Sequence, residues 1–174
     1  MKPWIAFLFT LVFTIPSCAP ALPQKEKITL KLLNSFAAQQ RSENNLRMIG
    51  VGGAMFYQVQ EVSLHFTATK QLNLQQARRL YVEVVERLLA QINSNPEIRP
   101  YLKNYPFTPQ NVSLLISFET ETGKRVTPPF IALVGIANGC IFYDIHDREH
   151  DLLKDAHTEP YEEALNLVKQ KSGF

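Results

Sequence analysis

The chain has 174 residues, of which 45% are hydrophobic and 20% charged, enough apolar material for one core and too much for a disordered chain. Eighteen Lys and Arg against sixteen Asp and Glu leave a net charge of +2. No basic footprint for nucleic acid is therefore present, and two cysteines are too few for a disulfide scaffold.

Met1-Lys2-Pro3 forms a short positive start, and Trp4 to Ile15 is an almost unbroken apolar run. A membrane-spanning helix needs roughly 20 apolar residues, and Pro16, Pro20 and Pro23 end this run early. The pattern is that of a signal peptide.

The run is followed by Ile15-Pro16-Ser17-Cys18, which resembles a bacterial lipobox. The resemblance implies cleavage before Cys18 and acylation of that cysteine, so that the protein would be a lipoprotein held by a membrane anchor. Several acyl chains, each contributing about 0.8 kcal/mol per buried methylene, hold such a protein firmly. The expected organisation is a signal peptide over residues 1–17, a tether over 18–27 and one domain over 28–174. A second reading is cleavage after Ala19-Pro20-Ala21, which fits a small-x-small site and would release an unanchored periplasmic or secreted protein. A third keeps the leader as an uncleaved anchor. All three readings carry the domain across a membrane. If Cys18 is acylated, Cys140 is a lone thiol and reads as a small buried hydrophobe; if Cys18 is retained unmodified, a bridge between the two becomes possible.

Ile28, Leu32, Leu33, Phe36 and Ala37 recur at three- and four-residue spacing, which predicts an amphipathic helix from Ile28 to about Gln40. Leu46–Val51 and Tyr57–Ala68 read as two strands around Gly52-Gly53, with Val62, Leu64, Phe66 and Ala68 on one face and Ser63, His65 and Thr67 on the other. The glycines read as a hairpin or bulge, since neither a dinucleotide fingerprint nor a P-loop lysine follows. A second helix starts at Asn73, with Gln76 completing a capping box, and carries the stripe Ala77, Leu80, Tyr81, Val84, Val85, Leu88 and Ile92. Arg79 with Glu83, and Glu83 with Arg87, stand four apart for pairing on its wet face.

Asn95 to Pro109 holds four prolines interleaved with Ile98, Tyr101, Leu102, Tyr105 and Phe107, a rigid strap packed on the domain rather than a flexible linker. Three strands follow. Val112 to Glu119 alternates, Phe130 to Ala137 is apolar on both faces, and Asn138-Gly139 signals a hairpin into Cys140–Ile145. A polar loop from His146 to His157 then leads to a last helix capped by Thr158, with Pro160 in its first turn. The order predicts an α+β domain: an antiparallel sheet of about five strands with three helices packed largely on one face. Ser63, His65, Thr67, Leu115 and Ser117 would then lie on the opposite face, which is solvated or a binding surface for an envelope protein partner.

One cluster could carry chemistry. His146-Asp147-Arg148-Glu149-His150 resembles the H-x-x-E-H string of inverted zinc peptidases. The resemblance covers five residues and implies His146 and His150 as zinc ligands and Glu149 as the base that activates water. A looser zinc site, or a plain solvated turn, fits the same residues, whereas the spacing does not match a calcium loop. The sequence thus supports an exported binding or structural module, with a small metal-dependent hydrolase as the alternative.

Overall fold

Nine α-helices and strands follow in order among the described residues, most of them placed by hydrophobic spacing. They are α1 (Gln24–Asn44), β1 (Arg47–Ala54), β2 (Glu61–Thr69), α2 (Leu74–Ser94), β3 (Val112–Glu119), β4 (Leu133–Ala137), β5 (Cys140–Asp147), β6 (Leu152–Pro160) and α3 (Tyr161–Lys171). This computed structural model describes residues 22–171; the leader, Cys18 and the alternative cleavage site at Ala21 lie outside them. No helix among the described residues is long and apolar enough to cross a membrane.

The domain is α+β, and its six strands lie in chain order in one sheet. The expected antiparallel sheet of about five strands is corrected in two respects. The sheet is mixed, because α2 carries the chain back along its length and β3 pairs parallel to β2, from Val62 opposite Val112 to Thr69 opposite Glu119. A parallel pair requires such a crossover, whereas a short turn gives an antiparallel one. All other neighbours are antiparallel.

The sixth strand is the second correction. The expected polar loop over His146–His157 is instead the end of β5, a tight turn and the first six residues of β6, which pairs with β5 from Cys140 opposite Pro160 to Asp147 opposite Leu152. As a mostly exposed edge strand, β6 carries no apolar alternation, so its pairing rests on backbone hydrogen bonds that a hydropathy pattern does not reveal. For the same reason Thr158 and Pro160 belong to β6 and do not cap α3, whose first amide, Tyr161 N–H, donates to the Gly139 carbonyl at 3.0 Å.

α1 starts at Gln24, not Ile28, with Pro23 before it, so Gln24–Lys27, expected to belong to the tether, are helical. Its first turn, Gln24 to Lys27, is polar and invisible to an apolar periodicity. The Asn73–Gln76 capping box forms as expected, each side chain bonding the other residue's amide at 3.0 Å. Arg79 pairs with Glu83 at 2.9 Å, but Arg87 turns away from Glu83 to Glu43 of α1. Asn138 (φ 51°) and Gly139 (φ 77°) make the tight turn between β4 and β5, both in the left-handed region that such a turn demands.

All three helices lie on one face of the sheet. Phe36 of α1 meets Phe66 of β2 edge to face at 6.4 Å, the Tyr81 hydroxyl of α2 donates to the Leu114 carbonyl at 2.7 Å, and Tyr161 of α3 reaches Glu86 of α2 at 2.8 Å. The strap follows the expected role: Ile98, Leu102 and Phe107 are buried, and Asn93 at the end of α2 clasps both the N–H and the C=O of Phe107.

Candidate functional site

The face away from the helices is built from the alternate residues of every strand. Along β2 and β3, Ser63, His65, Ser113, Leu115, Ser117 and Glu119 are half-buried while their neighbours Val62, Leu64, Phe66, Leu114, Ile116 and Phe118 are buried beneath the helices. No described element covers this face. The five residues expected there occupy it: Ser63 opposite Ser113, His65 opposite Leu115, and Thr67 opposite Ser117. Thr67 departs in one respect, being only 3% exposed, with a hydroxyl that has no hydrogen-bond partner among the described residues.

The middle of the face is apolar. A Cβ built on Gly135 would come within 2.4 Å of Leu115 Cδ2 and 2.5 Å of Phe142 Cζ, so these two side chains lie down over the glycine and close the gap it leaves. Phe142 belongs to the face by register, since it pairs with Gly135, which pairs with Leu115. Sequence alternation assigned Phe142 to a strand but not to this face, because the register between β4 and β5 was unknown. Cys140 follows on the same side, half-buried and free, where a fully buried thiol was expected.

Polar groups surround that centre. His65 Nε2 lies 2.8 Å from Ser117 Oγ. Burial lowers the pKa of this imidazole, against the opposing charge of Glu119. Burial, and secondarily Asp155, raises the carboxyl of Asp144. The His65–Ser117 pair lies on β2 and β3, both interior strands of the sheet. Below the pair, a concavity of about 590 Å³ opens between Glu61, Gln110, Ser113 and Asn138, at the end of the sheet where β4 turns into β5.

The second candidate, the metal cluster, is rearranged. The string His146-Asp147-Arg148-Glu149-His150 runs from β5 into a hairpin turn, so its residues do not share one helical face. His146 Nε2 pairs with Asp151 at 2.8 Å, while Glu149 and His150 gather with Asp147. Asp147 is already engaged: it accepts from His150 Nδ1 and the Glu149 amide at 2.9 Å each, and Lys154 Nζ stands 2.5 Å away. Lys154, then His150, hold its carboxyl well below the usual range. A divalent ion would have to displace the ammonium first.

A third group was not anticipated. Glu159 of β6, 3% exposed, receives Arg78 Nε and the Tyr143 hydroxyl at 2.7 Å each beneath α2 and α3. Burial alone would raise this carboxyl, but the bonds from Arg78 and Tyr143 outweigh it and leave the pKa below its ordinary value. The signal was absent from the sequence because Glu159 lay in a stretch without periodicity. Glu159 is buried here, and its bond to the partly exposed Arg78 ties β6 to α2. No protein-family model matches the chain, and no curated protein or solved structure is significantly similar to it.

Proposed function

We propose that the chain is an exported bacterial protein, held at the membrane by acyl groups on Cys18, whose open sheet face binds an envelope partner. The observation that carries the binding reading is the uncovered face itself: an apolar centre of Leu115 and Phe142 over Gly135, ringed by the His65–Ser117 pair and opening onto the 590 Å³ concavity. An apolar centre with a polar rim is the anatomy of a protein-binding patch. The anchor is supported by the leader sequence and by the resemblance of Ile15-Pro16-Ser17-Cys18 to a lipobox.

Two measurements test the reading. Intact mass of the protein purified from bacterial membranes should correspond to an acylated chain starting at Cys18, and the Cys18→Ser variant should lose that mass. An unmodified chain beginning at Leu22 would remove the anchor. For the face, a photo-crosslinking residue at Leu115 should yield one discrete adduct in cells, and the same residue at exposed Glu43 should not. Absence of any adduct at Leu115, with the protein folded, would remove the binding reading.

A further inference from the structure

Among the described residues, the most exposed large apolar side chains stand together at the tip of the β1–β2 loop. Phe56 and Tyr57 are 79% and 81% exposed, their rings packed edge to face at 4.5 Å. Two adjacent aromatic rings held out in water cost free energy that a folded chain ordinarily recovers by burying them.

The loop is fastened to the place where the described chain begins. Lys25, in the first turn of α1, donates from Nζ to the carbonyls of both Phe56 and Tyr57. Leu22, three residues earlier, is itself 49% exposed. Cys18 lies only four residues before Leu22, and four residues span at most about 14 Å even when fully extended. An acyl chain on Cys18 would therefore place the membrane surface within reach of this tip.

The surroundings have the composition of a bilayer interface. The strap joins the same end, since Val59 pairs with Leu102 and Lys103 reaches Gln60 at 3.3 Å. Lys27 and Lys31 flank Ile28 on α1, beside Glu97 of the strap. Aromatic rings seat at the headgroup level, and lysines lay their stems on apolar surface while the ammonium meets anionic headgroups.

We propose that the β1–β2 loop, through Phe56 and Tyr57, is a second membrane contact that seats the domain on an anionic bilayer beside its N-terminal anchor. This rests on the reading that the chain is tethered near Cys18. It adds a fixed orientation: the loop end faces lipid, and the β5–β6 turn at the other end of the strands faces away.

The test uses the full chain with Trp4→Phe and Phe56→Trp, which leaves a single tryptophan however the leader is processed. The protein is reconstituted into vesicles of phosphatidylethanolamine and phosphatidylglycerol whose acyl chains are brominated near the carbonyl end. Loss of most of the emission is expected at Phe56→Trp, and none at a control Arg148→Trp in the distant β5–β6 turn. Phe56 is exposed, so the variant keeps its fold, which an unchanged thermal melt checks. Unquenched emission at Phe56→Trp in protein that floats with the vesicles overturns the loop contact and leaves the anchor standing. Quenching at Phe56→Trp in a chain whose intact mass carries no acyl group upholds the loop contact and removes the anchor. Unquenched emission in protein that does not float with the vesicles overturns both.

Discussion

Arg78→Met isolates the effect of the buried charge pair. It keeps the aliphatic stem of a side chain that is 12% exposed and removes the guanidinium from a carboxylate that is 3% exposed. Glu159 is then left with the Tyr143 hydroxyl at 2.7 Å and His157 Nε2 at 3.5 Å. Removing one partner of a buried pair costs about 3–5 kcal/mol, because the surviving charge has no compensation. Arg78 retains some contact with water, so the lower end of that range, about 3 kcal/mol, applies here. Glu159→Gln keeps an acceptor for Tyr143 and strands a guanidinium that can turn towards solvent, costing about 2 kcal/mol. The double variant contains no stranded charge and should be no worse than Arg78→Met alone, so the cycle should return a coupling of about 2 kcal/mol.

Urea unfolding at pH 7 measures each corner, and the pH dependence adds an independent sign. In the native protein the Glu159 pKa is lowered, so its contribution is fully present above the unfolded carboxyl pKa, about 4.3, and is lost as pH falls through the native value. Without Arg78, burial dominates and the carboxyl is pushed up. The Arg78→Met protein should then take up a proton on folding, and its deficit against the native protein should narrow between pH 7 and pH 5. A deficit below about 1 kcal/mol that does not change with pH would refute the account, since it would place Glu159 in contact with water.

Three further outcomes follow from single positions. Gly53 has φ +150°, and a Cβ there would stand 2.2 Å from the Glu61 carbonyl oxygen, a backbone atom that cannot swing aside; Gly53→Ala should cost about 2 kcal/mol or more in urea unfolding, and a change under about 0.5 would contradict the tight β1–β2 pairing. Asn93→Ala removes both bonds to the Phe107 backbone and should cost about 2 kcal/mol while making the strap the first site of limited proteolysis; an unchanged cleavage pattern would count against the clasp. The lowered Asp147 pKa, caused first by Lys154 and then by His150, means that its contribution to stability is present above about pH 3.9 and lost as pH falls towards the native value. Carboxyl NMR should place its midpoint below the ordinary aspartate value and Lys154→Ala should raise it; an ordinary midpoint in the native protein would refute the pairing.

The legible parts of the fold were those written in apolar periodicity. Val62, Leu64, Phe66 and Ala68 alternate, the α2 stripe repeats at helical spacing, and Asn138-Gly139 demands a tight turn; each element appears in the structure, although β2 starts at Glu61 and not at the expected Tyr57, which lies in the loop before it. The illegible parts were held by forces that leave no periodic trace. β6 is fixed by backbone pairing and by one buried carboxylate, and nothing in Leu152–Pro160 announces that Glu159 will meet Arg78 from 81 residues away. The parallel register of β2 and β3 depends on α2 running the full length of the strands between them. Alternation put Ser63, His65, Leu115 and Ser117 on the side where they are half-buried, while Thr67 is buried there, and Phe142 needed the β4–β5 register to join them. The H-x-x-E-H string failed to gather its two histidines because it sits in a hairpin: His146 pairs across the turn with Asp151, while His150 folds back on Asp147.

The two surfaces proposed for function share a cause in the connectivity. The chain begins with α1, whose C-terminal half packs on the sheet through Phe36 and whose N-terminal turn reaches the β1–β2 loop through Lys25. With α2 crossing behind the sheet and α3 closing the same side, no element among the described residues covers the front. A domain tethered near Leu22 and seated on Phe56 and Tyr57 would hold its strands away from the bilayer, leaving the front face of Leu115 and Phe142 open along its length. Its concavity, at the end where β4 turns into β5, would be the part nearest the membrane. On these two proposals the loop would set which envelope partners could reach the face. Phe56→Ser with Tyr57→Ser should therefore weaken crosslinking from Leu115, a residue on another strand, without changing the thermal melt. Crosslinking that persists at full yield would show that the face binds independently of how the domain is seated.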